Sequence, residues 1–351
     1  MQQVVIGIIA FQTKGGRMFN IGIIGCGHWG PNHIRNFNSL KDSRVLMCAD
    51  LEKRRLAAIK DSFGNVEVTN DYFDILKNKE INAVIIATPT KTHYTITKES
   101  LGYNKDVLCE KPLATSVAEA EELVRLAKRK KRILMVGHVF MYNAGIQKLK
   151  EYVDKGTLGK IYYVCAKRTN LGPIRNDVNA VWDLASHDIS IFLYLLNSQP
   201  LEVSACGEVF LHEEHEALED IAFISLRYPK KILGNIHVSW LDPRKIREIT
   251  IVGDKKMAVW DDLNVTEPIK LYDKGVMREP YYDSFDEFRL IPKEGDITIP
   301  RLPFSEPLKN QAIHFLECIR ERKSPISDGN NGLAVVKTLN AVITSLKKMG
   351  K

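Results

Sequence analysis

Three groups of residues have types and spacings that could do chemistry. Lys111 stands immediately before Pro112 and after Glu110, at the end of the apolar run Val107–Cys109. Asp183 and His187 lie four residues apart, in Trp182-Asp183-Leu184-Ala185-Ser186-His187-Asp188-Ile189. Gly25-Cys26-Gly27-His28-Trp29-Gly30 has the pattern GxGxxG. Oxidising a secondary alcohol requires departure of a hydride and loss of the hydroxyl proton. Histidine, with an unperturbed pKa of about 6.5, suits that proton at neutral pH. A lysine ammonium can hold the oxygen and stabilise developing alkoxide charge. Asp183 can orient either the substrate or the imidazole. The spacing leaves the choice of base between His187 and Lys111 open, because the two groups could titrate together. The competing reading has His187 capping a helix and Asp183 in a surface ion pair.

The elements that must position these groups are legible in the pattern of apolar runs. Strand-like runs at Asn20–Gly25, Val45–Ala49, Ala83–Ala87, Val107–Cys109 and Ile133–Gly137 are almost continuously apolar, as strands buried on both faces are. Helical patterns separate them. The clearest begins at Ser116 with Glu119 three residues on, a capping box, and continues as Ala120, Leu123, Val124 and Ala127. This alternation predicts an α/β fold whose N-terminal part is a Rossmann-type, doubly wound parallel sheet. The character changes after Gly137. A helix over about Asn143–Lys155 leads to a strand at Ile161–Arg168 and a helix at Leu184–Leu196. Strands follow at Ile221–Tyr228, Ile232–Trp240 and Glu248–Val252, separated by Pro229-Lys230-Lys231 and Asp242-Pro243. Such short returns suit antiparallel pairing. The expected organisation is an extension over 1–17, a dinucleotide-binding domain over 18–138, and a second α/β domain over 139–351 with an open, mainly antiparallel sheet.

The glycine pattern follows one expected strand and opens a helix, the context a dinucleotide site requires. Gly25 permits the tight turn, Gly27 lets backbone approach the pyrophosphate, and Gly30 allows close helix–strand packing. The helix start carrying Cys26, His28 and Trp29 supplies amide donors to the anion. Asp50 ends the next strand, placed to accept hydrogen bonds from the adenosine ribose hydroxyls. A 2′-phosphate there would meet like charge at a gross cost of about 4 kcal/mol at 4 Å and an effective dielectric near 20. NAD is therefore expected over NADP, with Arg54 and Arg55 placed to soften that preference. Ala87-Thr88-Pro89 ends another strand beside the dinucleotide, and His93 follows it. Glu110 and Lys111 end a third. A cis bond before Pro112 could turn the Lys111 ammonium into the cleft.

Asn143, Arg168 and Asn170 are further substrate-contact candidates. An arginine fork suits a carboxylate or phosphate, with a solvated or structural Arg168 as the alternative. His212-Glu213-Glu214-His215-Glu216 lacks the HExxH spacing and reads as a charged turn, so no metal is expected. The six cysteines never form CxxC and read as reduced, buried residues. Of the 351 residues, 44% are hydrophobic and 26% charged, an ordinary globular composition. No apolar run approaches the roughly 18–20 residues of a spanning helix. Val4–Phe11 lacks the basic flank and cleavage site of a signal peptide, so a cytoplasmic protein is expected. The net charge of +7 is spread along the chain, with one block at Lys128–Arg132 that ends a helix. Cations suit a helix end, and no nucleic-acid or membrane partner is expected.

At these residues the chain resembles the glucose–fructose oxidoreductase / inositol dehydrogenase / MocA family. The likeness runs along most of 18–351. It is carried by the glycine pattern, Ala87-Thr88-Pro89, Glu110-Lys111-Pro112, Trp182–Ile189 and Pro325-Ile326-Ser327-Asp328-Gly329. The resemblance implies an NAD(P)-linked dehydrogenase of a sugar, cyclitol or sugar nucleotide. It implies a second domain whose open sheet builds a homo-oligomer, dimer or tetramer. It puts the family's reactive lysine on Lys111 and its Asp/His pair on Asp183 and His187. Around Trp182–Ile189 and Ser239–Pro243 the likeness is to UDP-N-acetylglucosamine(-uronate) 3-dehydrogenases. Three other readings stay open: an inositol or free-sugar dehydrogenase, an NAD-using glycoside hydrolase that oxidises C3 transiently, and a non-catalytic dinucleotide sensor.

Overall fold

Five apolar runs and one short polar strand build the first sheet of the computed structural model, which describes residues 18–175, 178–211, 218–280 and 288–349. They are β1 (Phe19–Ile24), β2 (Ser43–Ala49), β3 (Glu67–Thr69), β4 (Ala83–Ile86), β5 (Asp106–Cys109) and β6 (Leu134–Val136). The strand order is β3-β2-β1-β4-β5-β6, with every pair parallel. The chain winds outward one way from β1 through β2 and β3, then the other way from β4. Ligands bind at the carboxyl ends of strands at such a reversal. Burial on both faces explains the unbroken apolar runs: every residue of β4 and β5 is buried.

The helices of this unit are α1 (Trp29–Asn38), α2 (Lys53–Ser62), α3 (Tyr72–Lys77), α4 (His93–Gly102) and α5 (Val117–Lys130). The expected capping box starts α5. The Ser116 hydroxyl accepts from the Glu119 N–H at 3.3 Å, and the Glu119 carboxylate accepts from the Ser116 N–H at 3.2 Å. The basic block closes the helix at Lys131, in the left-handed region with φ 53°.

The second unit begins with α6 (Ala144–Asp154) and β7 (Ile161–Leu171). A π-helical turn over Val181–Ala185 runs directly into α7 (Ser186–Leu196). Then come β8 (Glu202–Glu208), β9 (Ile221–Tyr228), β10 (Ile232–Ser239), β11 (Leu241–Gly253), β12 (Met257–Asp261), β13 (Ile269–Tyr272), β14 (Gly275–Pro280), β15 (Phe288–Lys293) and β16 (Ile297–Thr298). Eight of the unit's strands form one sheet in the order β16-β13-β12-β11-β7-β10-β9-β8, while β14 and β15 pair separately. All neighbours in the large sheet are antiparallel except β7 and β10. Strand β9 alternates strictly: Ala222, Ile224, Leu226 and Tyr228 are buried, while Phe223, Ser225 and Arg227 are exposed. One face of this sheet therefore carries a core and the other does not.

Asp242-Pro243 does not separate two strands as the sequence reading expects. Both residues lie inside β11, where the register with β7 breaks between Leu241 and Ile246. An irregular stretch accepts proline because no ladder bond needs its missing N–H.

A second difference concerns the end of the chain, placed from sequence order in the second domain. Residues 305–337, carrying α8 (Pro307–Glu321) and the start of α9 (Gly329–Met349), fold with residues 18–143. The rest of α9 belongs with residues 144–304. Three contacts explain the return. Val136 N–H donates to Ser327 O at 2.8 Å, the Arg322 guanidinium reaches both Asp106 oxygens at 2.8 and 2.9 Å, and the Asn310 amide donates to Tyr142 O at 3.0 Å. The extension over 1–17 lies outside the described residues. No helix among the described residues is long and apolar enough to cross a membrane.

Candidate cofactor and catalytic sites

The three glycines between β1 and α1 have three different surroundings. Gly25 has φ 99°, and a Cβ there would come within 2.6 Å of the Ala87 backbone. A Cβ on Gly30 would overlap the Gly25 carbonyl oxygen. Gly27 is different: the nearest atom to an added Cβ is Arg55 Nη1, at 3.7 Å. Gly25 and Gly30 are thus required by packing, while Gly27 keeps one side clear for a ligand. No side chain caps α1, so its first-turn amides are available to an anion. Residues here fit the pyrophosphate of a dinucleotide.

A cavity of about 480 Å³ opens beside this turn. Gly25, Gly27, Asp50, Ala87, Thr88 and Pro89, all singled out from the sequence, line it. Asp50 also fastens the backbone around it, which its position alone does not reveal. Its Oδ2 accepts from the Cys26 N–H at 2.7 Å and its Oδ1 from the Glu52 N–H at 2.8 Å. The arginine facing the cavity is Arg55, not Arg54. Arg55 lines it and pairs with Glu52 at 2.8 Å and Asp50 at 3.6 Å, whereas Arg54 is not part of its lining. Three residues beyond Glu52, Arg55 reaches back over the first turn of α2. Asn70 and Tyr72 also line the cavity and were not singled out from sequence. Within the motif, His28 and Trp29 are exposed and Cys26 is buried, its thiol directed at Ala49 O.

His93 is a correction. It is not open to a cofactor: 1% of it is exposed, and its nitrogens lie 2.7 Å from Pro112 O and 2.9 Å from Thr88 O. Two carbonyl acceptors require two N–H donors, which only the imidazolium provides. Burial opposes that charge, but Cys109 and the two carbonyls prevail and raise the pKa to about 9. His93 braces the loops after β4 and β5 against each other.

Lys111 is half-buried and joined to Pro112 by a cis peptide bond. Glu110 faces inward. Its Oε1 lies 2.8 Å from His33 Nε2, and its Oε2 accepts from the Lys111 N–H at 3.3 Å. Next to the third strand end lies His138, fully buried, with neither ring nitrogen hydrogen-bonded. Burial, then the Lys111 charge, pushes its pKa down to about 3, so His138 is neutral. His33 and His138 were both missed from sequence. The available signals were the position of His33 on the buried face of α1 with Ile34 and Phe37, and that of His138 directly after the β6 run. Asn143, also on this unit, is half-buried and follows the turn Val139–Tyr142.

On the second unit, Asp183 sits in the π-helical turn and His187 in the first turn of α7, both half-buried. π-Helical turns recur at functional positions. Arg175 donates to Asp183 Oδ1 at 3.3 Å. Arg168 is another correction. Only 3% is exposed, and its fork is taken by Asp188, with Nε 2.9 Å from Oδ2 and Nη2 2.8 Å from Oδ1. A buried arginine so engaged is structural. Asn170 turns its amide onto Gly172 O.

Another cavity, of about 570 Å³, lies at the amino ends of β1, β4 and β5, near Lys77, Lys105 and Arg322. Two of its cations have local partners. Lys105 donates to Asn78 O and Ile81 O at the end of α3, and Arg322 holds Asp106. Cations suit the negative ends of helices, and chemistry in such sheets sits at the opposite edge. No cluster of metal-ligating side chains occurs among the described residues, and His212–Glu216 lies outside them. The cysteines are free; four are buried, but Cys165 is half-buried and Cys206 exposed.

Residues 19–138 match the oxidoreductase family with an NAD-binding Rossmann fold, and 146–259 match the GFO/IDH/MocA C-terminal domain. An uncharacterized oxidoreductase of Bacillus subtilis is 24% identical over 93% of both chains. A scyllo-inositol 2-dehydrogenase (NAD(+)) of the same organism is 26% identical over 87% of both. The solved UDP-N-acetylglucosamine 3-dehydrogenase of Acidithiobacillus ferrooxidans superposes with a TM-score of 0.79 at 21% identity, over 95% of this chain and 99% of that one. With both domain matches falling on the glycine turn, the parallel sheet and the mixed second sheet just described, the chain belongs to the GFO/IDH/MocA family of NAD-binding oxidoreductases.

Proposed function

We propose that the chain oxidises a secondary ring hydroxyl of a sugar or sugar nucleotide, C3 of a UDP-linked amino sugar being the favoured position. The observation that carries this reading is Lys111 at the carboxyl end of β5, in the same unit as the glycine turn and Asp50. The turn amides and Gly27 hold the pyrophosphate, and Asp50 meets the adenosine ribose. Bound NAD supplies the hydride acceptor. Lys111 holds the reacting oxygen, and its positive charge favours the alkoxide. His187, or Lys111 when it enters the reaction as the neutral amine, removes the hydroxyl proton, and Asp183 orients the sugar. The C–H bond leaves as hydride and the O–H bond as proton, so the product is a ketone.

A cyclitol is the second reading, favoured by the inositol dehydrogenase that is similar over 87% of both chains. Incubating the enzyme and NAD with UDP-N-acetylglucosamine or with scyllo-inositol, and following NADH absorbance, separates the two. In Lys111→Met and His187→Asn, turnover should fall by about a thousandfold while NAD binding persists. Full turnover in both variants would sink the assignment.

A homo-oligomer, dimer or tetramer, is part of this reading. Tyr163, Phe223 and Leu233 are exposed on the large sheet, and exposed apolar patches mark interaction surfaces. Light scattering that gives a monomer mass at micromolar concentration would contradict it.

A further inference from the structure

The residue after the cofactor turn with the most specific buried partner is His33. It sits on α1, three residues past Gly30, and only 1% of it is exposed. Its Nε2 lies 2.8 Å from Glu110 Oε1. Glu110 is 9% exposed and closely packed on its inner side. Its N–H donates to Ile86 O, and Gly137 packs so tightly that a Cβ there would come within 2.7 Å of Glu110 Oε2 and 3.0 Å of its Cα. The same Oε2 accepts from the Lys111 N–H. In the ionised form a carboxylate only accepts, and the N–H of His33 Nε2 is then the donor to it. A single chain of contacts therefore runs from the helix whose first turn receives the pyrophosphate, through His33 and Glu110, to the backbone of Lys111.

We propose that His33 is a positioning residue that couples dinucleotide occupancy at the start of α1 to the placement of Lys111 through Glu110. The proposal rests on the reading of the glycine turn as the dinucleotide site and of Lys111 as the group that meets the substrate. An anion on the α1 amides steadies the helix, His33 holds Glu110, and Glu110 holds the Lys111 backbone. Without the imidazole donor, the Glu110 carboxylate loses its buried partner and turns toward water. Lys111 is then no longer held when the cofactor binds.

ADP fills the adenosine and pyrophosphate positions but does not reach as far as a nicotinamide, so any effect on Lys111 is not simple occlusion. The test is the rate of acetylation of Lys111 by acetic anhydride, read by peptide mass spectrometry on the full-length protein with and without ADP. ADP affinity is measured separately by calorimetry. In the unaltered enzyme ADP should slow labelling by roughly fivefold, a typical coupling between sites. In His33→Leu, ADP should still bind, but labelling should become indifferent to it. His33→Gln, which keeps an N–H donor, should restore the effect. If His33→Leu does not fold, the isosteric Glu110→Gln decides: removing the charge weakens the bond by about half, and the ADP effect should shrink accordingly. The same slowing in all variants, or none in the unaltered enzyme despite bound ADP, overturns the coupling and leaves the functional reading standing. Failure of ADP to bind the unaltered enzyme overturns the dinucleotide reading and the coupling with it.

Discussion

The Asp50 carboxylate accepts a 2.7 Å hydrogen bond from the Cys26 N–H, so the acid that ends β2 also fastens the glycine turn. Replacing it should therefore loosen that turn. Asp50→Ala should raise the Kd for NAD by at least about tenfold, one charge-assisted bond being worth roughly 1.5–3 kcal/mol. In Asp50→Ser, Arg55 loses its 3.6 Å partner and the like charge facing a 2′-phosphate disappears. The ratio of NAD to NADP affinity should then fall by about tenfold or more. Fluorescence titration with both cofactors measures it, and an unchanged ratio would show that Asp50 does not set the preference.

His93 makes stability depend on alkaline pH. Its folded pKa of about 9 lies above its unfolded value. The stability it contributes is therefore complete below about pH 6.5 and lost as pH rises through about 9. At about 1.4 kcal/mol per pKa unit the total is on the order of 3 kcal/mol. Melting curves from pH 6 to 10 should show a fall in Tm that His93→Gln flattens. Parallel curves for the two proteins would mean that the imidazolium is not the form present.

His138 makes the opposite contribution. Its folded pKa of about 3 lies below its unfolded value, so stability is present above about pH 6.5 and lost as pH falls toward 3. Replacing a buried, unbonded imidazole with an apolar ring of similar shape removes that penalty and strands no partner. His138→Phe should move the acid-unfolding midpoint to lower pH, as circular dichroism would record. A midpoint shifted upward would show that the imidazole makes a favourable contact.

Arg168 should behave as a structural residue. Truncating it strands the buried Asp188, at a cost of about 3–5 kcal/mol. Urea unfolding of Arg168→Met should show that loss. The double variant Arg168→Met/Asp188→Leu, which removes both charges, should recover most of it. A normal stability accompanied by a raised substrate KM would instead return Arg168 to the substrate site.

Where the outcome depended on neighbours in the chain, the amino-acid sequence determined it. The apolar runs at the centre of β1, β4 and β5 had to be buried on both faces, because Ile21–Ile24, Ala83–Ile86 and Val107–Cys109 carry no polar side chain. The Ser116–Glu119 box had to start α5, because both partners lie within one turn. Gly25 and Gly30 had to be glycine for a turn that tight, and Asp50 follows directly from the end of β2. Tertiary structure decided the fate of groups that find their partners across the fold. Whether Arg168 served a ligand or Asp188 depended on two residues 20 positions apart. His93 became a brace because Pro112, 19 positions on, presents a carbonyl to it. His33 found Glu110 at a separation of 77, and Arg322 found Asp106 at 216, drawing the end of the chain back to the first sheet. Periodicity reports which face of an element is buried. It does not report which polar group waits on the other side, and a buried charge or donor is settled only by the partner that it meets there.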